Sequence, residues 1–127
     1  MGIRARRGTA TNVTLPPPTQ TDLLILLLNQ KINTLFQARR NIVALLSSGA
    51  MPLARGRTLL RDIDAEINRC LVTIATLRAR QRVIRFPSPA QISALRGAVE
   101  ALGQITIQGA TTVQLVAAVT ALINTYP

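Results

Sequence analysis

The chain has 127 residues, 48% of them hydrophobic and only 2% aromatic, with a formal net charge of +10. That length suits one domain, and the apolar fraction is enough for a core and argues against wholesale disorder. The absence of His removes the usual general base and the commonest metal ligand, and a single cysteine, Cys70, excludes an intrachain disulfide.

The charge is uneven. Residues 1–85 hold 14 basic and 4 acidic side chains, whereas residues 86–127 hold only Arg96 and Glu100. All the basic residues are Arg except Lys31. A basic part of this kind suits an acidic partner: nucleic acid, anionic lipid or an acidic protein face.

In chain order, residues 1–18 read as a basic, Pro-rich extended arm. They carry Arg4, Arg6, Arg7 and the run Pro16-Pro17-Pro18, which favours polyproline geometry and blocks a helix. Gly2 and the leader-like features here match lipidation and targeting patterns only in part, and the Asn12-Val13-Thr14 glycosylation sequon means nothing without a secretory signal, so all three read as chance. Thr19 with Asp22 forms a capping-box pattern. It opens a helix over 20–48, whose apolar stripe is Ile25, Leu28, Ile32, Leu35, Ile42 and Leu46, interrupted by Arg39. Gly49 and Pro52 in "SSGAMP" stop it.

A second helix is expected from Leu53 or Thr58 to Ile84. Its stripe of Leu60, Ile63, Ile67, Cys70, Ile74, Leu77 and Ile84 has the three-and-four spacing of coiled-coil packing. Cys70 falls inside this stripe and reads as a small core residue. The short connection makes 19–86 a long antiparallel hairpin. "FPSP" at 86–89 then ends one helix and starts another. Pro87 disfavours helix at Phe86, Ser88 pairs with Gln91 in a capping box, and Pro89 occupies the first helical position. Two short capped helices are expected over 89–102 and 112–124, with "GQITIQGA" breaking the first and Thr111–Gln114 capping the second. The fold class is thus all-α: a small helical bundle made of a long antiparallel hairpin followed by two short capped helices, with 87–127 as an apolar segment packing on the hairpin or on a partner.

Catalytic chemistry is missing. No Gly-rich phosphate loop or nucleophile-elbow pattern occurs. Asp62 and Glu66 lie one turn apart, but two carboxylates alone make a weak cation site, and nearby Arg61 and Arg69 suit them as ion-pair partners. No enzyme activity, cofactor, metal or small-molecule substrate is therefore expected.

Two features point to binding. Arg78, Arg82 and Arg85 fall at i, i+4 and i+7 on one helix face; with Arg39, Arg40 and the arm residues Arg4, Arg6 and Arg7 they are candidate anion or phosphate contacts. No aromatics are interleaved among them for base stacking. The last helix carries no charge, and Leu115, Val116, Val119, Leu122 and Ile123 form a candidate assembly face. The reading is a non-catalytic structural or interaction protein, either homo-oligomeric or bound to a protein partner. The alternatives are a sequence-independent nucleic-acid-binding protein and a membrane-active helical protein. No convincing signal peptide is present, and the longest strongly apolar run, "LLILLL", is far below the roughly 20 residues a membrane helix needs, so the expected place is the cytoplasm or a larger assembly.

Overall fold

Thr19 sets the first helix. Its hydroxyl accepts from the Asp22 amide at 3.1 Å, and the Asp22 carboxylate accepts from the Thr19 amide at 3.0 Å. The computed structural model describes residues 19–79, 86–108 and 111–127. Among the described residues all regular structure is helical: α1 (Gln20–Ser47), α2 (Leu53–Ala79), α3 (Pro89–Gln108) and α4 (Thr112–Ile123). Together they form a small helical bundle.

The end of α1 follows from Gly49, which holds φ at +76°, a left-handed conformation that costs a side-chain-bearing residue energy. The reversal lets the Gly49 amide bond to Leu46 O and the Ala50 amide to Leu45 O, a Schellman arrangement that satisfies the last carbonyls. Four residues into α2, Gly56 is buried against the Leu46 side chain so closely that a methyl group at Gly56 would collide with it. The two long helices therefore meet tightly beside their connection. Farther along, Arg39 pairs with Asp64 and Lys31 with Glu66, so partners on α1 and α2 occur in opposite numerical order.

The buried face of α1 is Leu24, Leu27, Leu28, Lys31, Ile32, Thr34, Leu35, Ala38 and Ile42. Leu28, Ile32, Leu35 and Ile42 of the expected stripe lie on it, whereas Ile25 and Leu46 are only half-buried. On α2 the expected stripe from Ile63 to Leu77 is buried, joined by Leu59 and Glu66; Ile84 lies outside the described residues. The 1–18 arm also lies outside them.

Helix α3 differs from its expected extent. It continues past Leu102 to Gln108, for 20 residues. An interior glycine costs a helix about 1 kcal/mol, but tertiary contacts carry α3 through Gly103. Leu102 is fully buried, Ile105 packs on the core, and the Thr106 hydroxyl reaches Gly103 O at 2.9 Å and the Gln37 side chain at 3.2 Å. The capping pattern that starts α3 is formed, with Ser88 and Gln91 exchanging hydrogen bonds of 2.8 and 3.2 Å. Thr111 and Gln114 do the same for α4.

α1 touches each of the other three helices; α4 packs on all three others; α2 and α3 make no contact with each other among the described residues. α4 is tied at its start by the Thr112 hydroxyl to Ala50 O at 3.3 Å. Just past its end, Thr125 and Tyr126 meet Lys31. It therefore covers the part of α1 nearest the α1–α2 connection and stops short of residues 20–27.

Candidate interaction surface

Of the basic residues named from the sequence, the structure describes Arg39, Arg40 and Arg78, and Arg78 does not come together with the other two. Arg4, Arg6, Arg7, Arg82 and Arg85 lie outside the described residues. Arg78 is exposed and borders a shallow groove with Thr19, Thr21, Asp22, Ile25 and Leu77, at the start of α1. Arg39 and Arg40 lie more than three turns farther along α1, roughly 20 Å away at 1.5 Å per residue. Arg39 is committed to Asp64, with its Nε 3.0 Å from Oδ1. That hydrogen bond, more than the charge attraction, holds its pKa above the ordinary arginine value.

Six other arginines, Arg40, Arg55, Arg57, Arg61, Arg78 and Arg96, are exposed and make no ion pair with another described residue. Their guanidinium groups are free to meet an anion.

The candidate assembly face on α4 is turned inward. Leu115, Val119 and Leu122 are buried in the chain's own core, and Val116 and Ile123 pack against that core. The apolar side of α4 is thus covered by α1, α2 and α3. Its outer side presents Val113, 78% exposed, next to Pro52, Arg55 and Ala117.

The sequence reading missed a buried polar cluster. Lys31 and Glu66 are almost wholly out of solvent, with Lys31 Nζ 2.6 Å from Glu66 Oε2. The ammonium also donates to Thr125 Oγ1 at 3.2 Å and to Tyr126 O at 3.1 Å, with Thr125 O at 3.4 Å. Its three donors therefore have acceptors within reach. The other Glu66 oxygen accepts from Arg69 at 2.7 Å. Asp62 stays in solvent, so the expected Asp62–Glu66 surface pair is replaced by one buried and one exposed acid. Among the described residues no group of three or more His, Cys, Asp or Glu could hold a metal. The signal for this cluster was in the sequence: Lys31 stands in phase with Leu24, Leu28 and Leu35, and Glu66 falls between Ile63 and Cys70 on the α2 stripe.

Cys70 is fully buried. Burial raises its pKa to about 11, helped by Glu66 and opposed by Lys31 and Arg69. The thiol is protonated at neutral pH, which suits packing and not nucleophilic chemistry.

Beyond the end of α4, the N-terminal turns of α1 and α3 part to leave an open groove of ≈ 450 Å³. Leu23, Leu24 and Leu27 form one wall, Pro89, Ile92 and Arg96 the other, with Phe86 and Pro87 at one end. No helix among the described residues is long and apolar enough to cross a membrane. In comparisons with known proteins, no family model, curated protein or solved structure matches the chain.

Proposed function

We propose that this chain is a non-catalytic structural or interaction protein. An antiparallel α1–α2 hairpin, followed by α3 and α4 with their capped starts, serves as a scaffold. Apolar helix faces bind another protein chain, and the Arg-rich surface turns toward an acidic partner. The observation that carries this reading is that exposed apolar residues border grooves with unpaired arginines, Leu23 with Arg96 and Val113 with Arg55. Leu23, Leu26, Leu53, Leu71, Val72, Ile107 and Val113 are each more than half exposed. Single exposed hydrophobes are ordinary, but grouped ones beside a groove mark interfaces. The assembly residues are these outward ones in place of the inward α4 face. Sedimentation of the full chain across a concentration series, alone and with candidate acidic proteins, tests it. Formation of a discrete complex supports the reading, and a monomer under every condition refutes it.

A second reading, sequence-independent nucleic-acid binding, draws on Arg55, Arg57 and Arg61, which gather near the α1–α2 connection without ion pairs among the described residues. Phosphate contacts of this type release counterions, so affinity would fall linearly with salt on a log–log scale. Replacing Arg55, Arg57 and Arg61 by Gln would cripple it and leave assembly through the apolar faces intact. Unchanged oligonucleotide affinity in that variant would remove this reading.

A further inference from the structure

The groove between α1 and α3 combines two properties that define an occupant. Its walls are apolar, from Leu23 and Leu27 on α1 to Ile92 on α3, with Phe86 and Pro87 at one end. Among the described residues its one charged lining residue is Arg96, which is exposed and makes no ion pair with another described residue. No acid lines it. The chain as a whole carries +10, so a second copy would bring a strongly like-charged body to this site, and a basic segment would be repelled. An acidic segment would be drawn in.

We propose that this groove anchors an acidic, amphipathic helical segment of a partner protein. The segment lays apolar side chains at i and i+4 between the α1 and α3 walls and sets a carboxylate against Arg96. Helix-in-groove recognition works in this way: apolar anchors supply affinity, and flanking charge sets partner choice and orientation. The open end of the groove follows from the fold, because α4 is held at Lys31 by Thr125 and Tyr126 and does not reach residues 20–27. The proposal rests on the interaction-protein reading and gives that reading its partner chemistry.

The test uses the full chain and two synthetic peptides of about 16 residues, long enough to hold a helix when bound. Both carry Leu at i, i+4 and i+7; one has Glu and the other Lys at the flanking positions. Fluorescence anisotropy gives affinity, and methyl NMR locates the contact. The Glu peptide is expected to bind about tenfold or more tightly than the Lys peptide, a difference of about 1.4 kcal/mol. Shifts should centre on Leu23, Leu27 and Ile92. Leu23→Asp, at a position already half in solvent, should weaken the Glu peptide at least about tenfold while the circular dichroism spectrum is kept. Arg96→Glu should reverse the preference between the peptides. Equal affinity for the two peptides, or shifts away from the groove, would overturn the proposal. Self-association abolished by Leu23→Asp without peptide binding would overturn it in favour of a second copy. Displacement of the Glu peptide by an oligonucleotide, with Arg96 required for both, would overturn it in favour of phosphate. If the chain still forms a discrete protein complex that Leu23→Asp leaves intact, this site fails and the broader reading survives.

Discussion

Lys31 of α1 and Glu66 of α2 meet at 2.6 Å in the interior of the bundle, with 0% and 1% of their side chains exposed. A buried pair of this kind adds little net stability, because desolvating two charges offsets most of their attraction. Its value lies in the arrangement it permits. Lys31 needs Glu66 on one side and Thr125 with Tyr126 on the other, so one ammonium joins α1, α2 and the segment after α4. Removing Lys31 leaves the buried Glu66 with only the exposed Arg69 as a charged partner among the described residues.

The single replacement Lys31→Met should therefore cost about 3–5 kcal/mol, read from the midpoint of urea unfolding. Replacing both partners by apolar residues, as in Lys31→Met with Glu66→Met, should recover most of that loss. A double mutant no more stable than Lys31→Met alone would show that the two residues do not act as a pair.

Thr125 couples the C-terminal segment to this pair. Its hydroxyl accepts from Lys31 and donates to Leu122 O at 2.6 Å. Thr125→Val keeps the shape and removes both bonds, and should destabilise by about 1–2 kcal/mol. Thr125→Ser should restore most of this, and amide exchange at 122–126 should speed up only in the Val variant.

Core and surface on α4 should separate cleanly. Leu122→Ala, fully buried, should cost about 2–5 kcal/mol. Val113→Thr, 78% exposed, should change stability by less than about 0.5 kcal/mol. Similar effects from both would mean that α4 does not bury Leu122 within its own chain.

Alkaline pH should weaken the fold through Cys70. Its folded pKa, about 11, lies above the ordinary thiol value of 9.0. The thiol's contribution is complete below the unfolded pKa and disappears as pH rises through the folded one. Stability should thus fall between about pH 9 and 11, by roughly 2–3 kcal/mol for this group. Tyr126, also raised by burial, shifts stability in the same direction. Cys70→Ala should flatten the fall. At pH 8 a thiol reagent should react with Cys70 only at the rate of unfolding.

Much of the fold was legible because its determinants are local. Thr19, Ser88 and Thr111 start helices through their own side chains, and Gly49 ends one through its backbone. The end of α3 was not legible, since Gly103 is outweighed by what Ile105 and Thr106 meet on other elements. The burial of Lys31 and Glu66 was legible in their phase with the apolar stripes, but their pairing was not. Only the packing of α1 on α2 places them together. The apolar residues of α4 were readable as one face, but a sequence does not say whether such a face meets its own chain or another. The groove depends on where α4 stops, which is set by Thr125 and Tyr126 meeting Lys31 from 94 and 95 residues away.

The central claim, that this chain works by binding other protein chains, is tested most directly by native mass spectrometry of the full-length protein isolated intact from the cells that make it. The account expects a discrete mass: a fixed multiple of the chain, or the chain with a stoichiometric protein partner. The chain alone at its single mass, or in heterogeneous adducts that nuclease removes, would contradict it.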